Sequence, residues 1–198
     1  MCDENIDFSK LKECIKSKRT TINYVAEDTG LLRQHLSKII KNETIPKTDT
    51  IAKICWVLKV NVSDIVELKG IKENKFFTWD HPLYWPSENT NGEVTYEPLW
   101  NLLQGYLSDK PGKTAGQLFD QIEPYRRKAG ISLVGIQKAL EARGINSDYE
   151  AKPRKRVTKG LPQLTRTKLK NDRPLSFRTI YDICNFLGCS PDFIMSYK

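Results

Sequence analysis

The chain is poor in the residues that build metal centres and disulfide frameworks. Its 198 residues include five cysteines and two histidines. Cys2, Cys14, Cys55, Cys184 and Cys189 are odd in number and form no Cys-x-x-Cys pair. Three of them fall in apolar helical patterns, where a reduced thiol behaves as a small hydrophobe. A disulfide scaffold is therefore not expected. His35 and His81 lie in different segments, so no tetrahedral Cys/His metal set is expected either. No apolar run approaches the roughly 20 residues of a membrane helix. The opening Met1-Cys2-Asp3-Glu4-Asn5 is acidic and polar, unlike a secretory signal, so a cytoplasmic location is expected. Acidic residues are abundant but scattered, and neither a phosphate-cradling glycine loop nor a Ser/His/Asp order is present. These absences predict a chain without catalytic residues, metal or cofactor.

What the chain does have is positive charge, unevenly placed. The formal charge is +8. Residues 1–69 carry net +2, residues 70–113 net −2, and residues 114–198 net +8. A concentrated positive field points to a polyanion such as nucleic acid. Composition places the chain among globular proteins, at 39% hydrophobic and 28% charged residues.

One pattern occurs twice. Thr50-Ile51-x-x-Ile54-Cys55-x-x-Leu58 returns as Thr179-Ile180-x-x-Ile183-Cys184-x-x-Leu187. Each copy follows a proline, Pro46 or Pro174, and runs into a short apolar end, Ile65-Val66 or Phe193-Ile194. A repeated supersecondary unit predicts two related domains. The predicted organisation is an N-terminal domain over 1–69, an aromatic connector over 70–113, and a C-terminal domain over 114–198.

In the first unit Phe8, Leu11 and Ile15 share one helical face. Thr20 or Thr21 caps a second helix that buries Val25 and Ala26 and ends at Gly30. Leu31 opens a third helix with Leu36, Ile39 and Ile40 apolar. Its polar face carries Arg33, Gln34, His35, Ser37 and Lys38, followed by Lys41. Thr50 to Leu58 makes a fourth helix and Val62 to Leu68 a short fifth.

This order resembles the phage-repressor (Cro/XRE-class) helix-turn-helix family. Thr21-x-x-x-Val25-Ala26-x-x-x-Gly30 is similar to that family's second helix and turn, and Leu36-Ser37-Lys38-Ile39 to its recognition helix. Ile22 departs from the pattern, standing where the family commonly has glutamine. The resemblance implies an all-α fold of two five-helix repressor-like domains, and double-stranded DNA as partner. A major groove about 12 Å wide admits one helix. There Arg33 can pair bidentately with guanine and Gln34 with adenine, while His35, Ser37, Lys38 and Lys41 reach bases or phosphates.

In the second unit Leu118, Phe119, Ile122 and Tyr125 are expected to start the first helix. Ile131 to Leu140 would form the second, ending at Gly144. Gly30 and Gly144 lie 114 positions apart, but Pro46 and Pro174 lie 128 apart. About fourteen residues are therefore inserted between helices two and three, within 146–160. That insertion carries Lys152, Arg154, Lys155, Arg156 and Lys159, a candidate phosphate clamp or groove-entering arm. The third helix is predicted from Gln163 to Lys170, offering Gln163, Thr165, Arg166, Thr167, Lys168 and Lys170.

The connector holds Trp79, Trp85 and Trp100 with Phe76, Phe77, Tyr84 and Tyr96, a density that implies packing. Asn91-Gly92 is expected to join short strands at Pro82–Trp85 and Val94–Tyr96. Leu99, Leu102, Leu103 and Tyr106 then line a helix. The functional expectation is a sequence-specific regulator, a repressor reading two unequal half-sites, as a monomer or homodimer. Two rivals stay open. One is a phage or mobile-element module that inhibits or assists a defence complex through protein contacts. The other is an RNA-binding subunit of an RNA-guided complex, its basic loop tracking an A-form backbone.

Overall fold

The computed structural model describes residues 4–71, 90–108, 112, 114–120 and 161–198. Within these lie eight α-helices: α1 (Ser9–Ser17), α2 (Ile22–Thr29), α3 (Arg33–Ile40), α4 (Thr48–Leu58), α5 (Glu97–Ser108), α6 (Ala115–Phe119), α7 (Gln163–Lys170) and α8 (Phe177–Leu187). Four two-residue strands accompany them: β1 (Ile6–Asp7), β2 (Glu67–Leu68), β3 (Val94–Thr95) and β4 (Ser196–Tyr197). No helix among the described residues is long and apolar enough to cross a membrane. None of their His, Cys, Asp or Glu groups is clustered to hold a metal ion.

The first unit starts and stops its helices where side-chain chemistry dictates. The Thr21 hydroxyl accepts the Tyr24 N–H at 3.2 Å and caps α2. Gly30 ends α2 in the left-handed region at φ 69°. Leu31 and Leu32 do not join α3 as expected. Leu32 is extended at ψ 133°, and the helix begins at Arg33. The apolar faces of α1 to α4 meet in a core that includes Leu11, Ile15, Val25, Leu36, Ile39, Ile51 and Ile54.

The expected fifth helix is corrected. Only Val62–Asp64 turns, as a 3-10 helix held by reciprocal bonds between Asn61 and Asp64. Glu67–Leu68 instead pairs antiparallel with Ile6–Asp7. Seven residues gain little as an isolated helix, whereas the strand satisfies backbone groups at both ends of the unit. The same holds for the second copy, where Pro191–Phe193 is 3-10 and Ser196–Tyr197 pairs with Val94–Thr95. Both units are helical with a small strand pair, not purely α.

That pairing revises the reading of the connector. Val94–Thr95 is to β4 what Ile6–Asp7 is to β2, and α5 follows β3 as α1 follows β1. The first helix after the strand therefore comes from residues assigned to the connector. Leu118 and Phe119 lie in α6, whose Thr114 cap accepts the Gln117 N–H as Thr21 accepts that of Tyr24. They occupy the place of the second helix rather than the first, which makes the insertion before the third helix 37 residues (shifts of 93 at Thr21/Thr114 and 130 at Arg33/Gln163), not about fourteen. Ile122, Tyr125, the helix expected at Ile131–Leu140, the insertion 146–160, and Phe76, Phe77, Trp79, His81 and Pro82–Trp85 lie outside the described residues.

The two copies repeat a polar lock. Asn42 ends α3 at φ 58°, and Asp172 follows α7 at φ 48°. The Asn42 side-chain oxygen Oδ1 accepts the Phe8 N–H at 2.7 Å, while its Nδ2 donates to Asp7. The Asp172 carboxylate accepts the Tyr96 N–H at 2.9 Å and the Lys198 ammonium at 2.6 Å. Lys69 plays the part of Lys198 in the first copy, donating to Asp7 at 3.0 Å. Three donors on one carboxylate hold Asp7 well below the usual carboxylate range, with the Ser9 N–H the largest influence, then Asn42 and Lys69.

The copies join through equivalent residues. Thr48 N–H donates to Leu175 O at 2.9 Å, and Phe177 N–H donates to Pro46 O at 3.1 Å, around an antiparallel bridge between Lys47 and Ser176. By the repeat, Thr48 corresponds to Phe177, Pro46 to Leu175 and Lys47 to Ser176. Phe8 stacks edge-on against Phe177 at 5.6 Å, and its counterpart Tyr96 meets Thr48 at 2.7 Å. Ser63 and Asp192, 129 residues apart and again equivalent, bond N–H to carboxylate at 3.1 Å. Such reciprocal contacts are what a twofold, self-complementary interface makes.

Two outcomes check this arrangement. Phe177→Ala, which empties a fully buried site shared by both copies, is expected to cost about 3–5 kcal/mol. Tryptophan fluorescence and far-ultraviolet dichroism should lose structure in one urea transition, and separate transitions would mean that the copies fold apart. Burial pushes the Asp192 carboxyl up against the opposing effect of Ser63. A raised carboxyl contributes stability at low pH that is lost as pH rises through its folded pKa. Asp192→Asn should therefore be more stable than the parent at neutral pH, with the gap closing below the ordinary aspartate range.

Candidate nucleic-acid interface

Helix α3 stands on the first unit with its apolar side in the core and its polar side in solvent. Leu36 and Ile39 are wholly buried. Arg33, Gln34, Lys38 and Lys41 are exposed, and His35 and Ser37 are half-buried. The 3.6-residue period places buried and exposed sets on opposite faces of one eight-residue helix. Arg33, Gln34, Ser37, Lys38, Lys41 and Glu43 line one open groove. The side chains of Arg33, Gln34, Lys38 and Lys41 make no hydrogen bond or ion pair among the described residues, and all four residues are exposed. Three cations and one carboxylate leave this groove net positive.

Helix α7 occupies the equivalent place in the second copy and spans the expected residues. It also has eight residues, follows an extended residue (Pro162, ψ 143°), and buries Leu169 where α3 buries Ile39. These markers settle a register that the insertion obscured: Gln163 answers to Arg33, Leu164 to Gln34, Thr167 to Ser37 and Lys168 to Lys38. Gln163, Leu164, Thr167 and Lys170 are exposed, while Thr165 and Lys168 are half-buried. The Thr167 hydroxyl donates back to Gln163 O at 3.0 Å.

Arg166 departs from its expected role. It stands where the first copy has the core residue Leu36, and its guanidinium turns into its own unit. It donates to Leu161 O at 2.7 Å, to Gly116 O at 3.2 Å and to the Asp120 carboxylate. It also lies 5.8 Å from the Phe119 ring. With its side chain 19% exposed, it ties α6 to α7 instead of facing the groove side. A sequence pattern cannot separate an outward arginine from an inward one, because both follow the same helical spacing. The basic insertion residues Lys152, Arg154, Lys155, Arg156 and Lys159 lie outside the described residues.

Three large apolar side chains stand in solvent where helical period gives no reason to expect them. Leu32 is 78% exposed, Leu164 61% and Tyr24 56%. Leu32 directly precedes α3 and Leu164 is the second residue of α7. Periodicity assigns leucine inward by default, and the signal it leaves is a leucine on an otherwise polar helix face. Cys55 and Cys184 are fully buried, and burial pushes both thiols well up.

Two short helices joined by a tight turn, with the second presenting donors on a basic open face, form a geometry suited to a major groove. Residues 10–70 match the family described as the Cro/C1-type helix-turn-helix DNA-binding domain. No curated protein and no solved structure matches the chain.

Arg166→Ala should test the inward assignment. Losing charge-assisted bonds in a mostly buried setting is expected to lower stability by about 1–3 kcal/mol. Its preference among duplex sequences should match the parent's. A changed preference at unchanged stability would return Arg166 to the interface.

Proposed function

We propose that the chain is a sequence-specific DNA-binding regulator, a repressor that occludes a promoter by engaging two unequal half-sites. The observation that supports this reading is the reciprocal joining of the two copies, with α3 and α7 at equivalent positions of the repeat. Repressor-type dimers address two half-sites one helical turn apart, about 10–10.5 base pairs, through twofold symmetry. Here one chain supplies both halves, so binding needs no second subunit. In this reading the second unit runs from Val94 to Lys198, not from Thr114, with the basic residues 152–159 inserted between its second and third helices.

The mechanism is recognition without bond making. Lys38 and Lys41 neutralise phosphates, and Lys168, Lys170 and the insertion do so in the second half. Counterion release gives the affinity and makes it fall steeply with salt. Arg33 pairs with guanine and Gln34 with adenine at the start of α3, where the helix meets base edges. Ile22 offers no hydrogen bond in place of the family's glutamine, which shifts more of the recognition onto α3.

A titration at two salt concentrations tests the reading, using duplex from upstream of the chain's own gene, random duplex, and single- and double-stranded RNA. Binding of the upstream duplex well above random, with one chain per duplex in sedimentation, is the expected result. Arg33→Ala and Gln34→Ala should each cost about 1–3 kcal/mol on the preferred duplex and relax the choice of base. Equal or absent binding to duplex DNA would transfer the role to RNA or to a protein complex.

A further inference from the structure

Resting on that reading, we infer that the two halves read different chemistry and that α7 recognises a thymine methyl group through Leu164, beside an adenine contacted by Gln163. Helix α7 is placed as α3 is, yet its leading residues differ in kind. The pair Arg33 and Gln34 offers hydrogen-bonding forks. The equivalent pair Gln163 and Leu164 offers one amide and one aliphatic group. Leu164 is 61% exposed on a helix whose apolar anchor, Leu169, is wholly buried, so packing among the described residues does not account for it.

The surroundings favour duplex DNA as the occupant. Lys168 and Lys170 lie on the same short helix, and the described residues of 114–198 carry six basic and four acidic groups. A positive field draws a phosphate backbone and not an apolar protein face. Within the major groove the C5-methyl of thymine is the one apolar group a base pair displays, and an aliphatic side chain there discriminates by contact. Glutamine forms two hydrogen bonds with adenine and fewer with guanine or cytosine. The C-terminal half-site is accordingly A·T-rich, while Arg33 directs the other half to guanine. Because the two helices belong to one chain and cannot exchange, the protein sits on its site in a single orientation.

The test begins with duplexes enriched by the full chain from a randomised library. Each thymine of the best duplex is then replaced singly by uracil, which removes only the methyl. Affinities are measured for the parent, Leu164→Ala and Arg33→Ala. One uracil substitution in one half-site should weaken the parent about three- to tenfold. The effect should vanish in Leu164→Ala and persist in Arg33→Ala. Leu164 is exposed, so its replacement leaves the fold intact, which a urea midpoint equal to the parent's verifies. Enriched duplexes with no uracil-sensitive position, or sensitivity that survives in Leu164→Ala, would overturn this assignment alone. Enrichment of a single half-site would do the same. Failure to enrich any duplex would overturn the DNA-binding reading as well.

Discussion

The structure depends on one exchange of backbone hydrogen bonds. Thr48 donates to Leu175 and Phe177 donates to Pro46 across a bridge of only one residue pair. Alone it would be weak. The pair itself, Lys47 and Ser176, is exposed, but its neighbours Pro46, Thr48, Leu175 and Phe177 are buried, between the Phe8–Phe177 contact on one side and a run of hydroxyls on the other. There the Leu175 N–H donates to the Thr48 hydroxyl, and the Tyr96 hydroxyl donates to Arg173 O. With the tyrosine proton so used, the 2.7 Å contact between the two hydroxyls takes its proton from Thr48. Every polar atom of this run is satisfied, which is what buried polar groups require.

From that junction the rest follows. The same residues that begin α4 and α8 form the joint, so the orientation of each helix core is tied to the other. Helices α3 and α7 pack on those cores and inherit the relation. The strand pairs carry it to the periphery. Gly92, at φ 76°, passes so close to Trp56 of the first unit that a Cβ there would meet the ring at 3.1 Å. The Trp56 indole N–H donates to Thr90 O on the same stretch. The chain thus enters its second copy across the surface of the first.

The two copies differ along their third helices and agree in the frame around them. The left-handed residues Asn42 and Asp172 end the third helices alike, and Lys59 and Gly188 end the fourth. Each lock uses a different donor set to hold the same N-terminus. Only the first copy keeps the leucine that seals its helix-turn-helix. In the second, an arginine bonded to Asp120 and two carbonyls spans that place, an arrangement that holds α7 against a short α6.

Local pattern in the sequence was enough for α2, α7 and the cores of α1 and α4, and for the polar face of α3. These features rest on helical period, a threonine cap and a left-handed glycine, all of which act within a few residues. What escaped it was decided at long range. Whether Val62–Leu68 coils or pairs depends on Ile6–Asp7 being near, and whether residues 94–108 are connector or frame depends on Ser196–Tyr197. The inward turn of Arg166 depends on Asp120 and Gly116, and the exposure of Leu164 on what fails to cover it. Spacing along a chain encodes which face a residue shares. Only the tertiary structure supplies the partner that makes that face core, frame or interface.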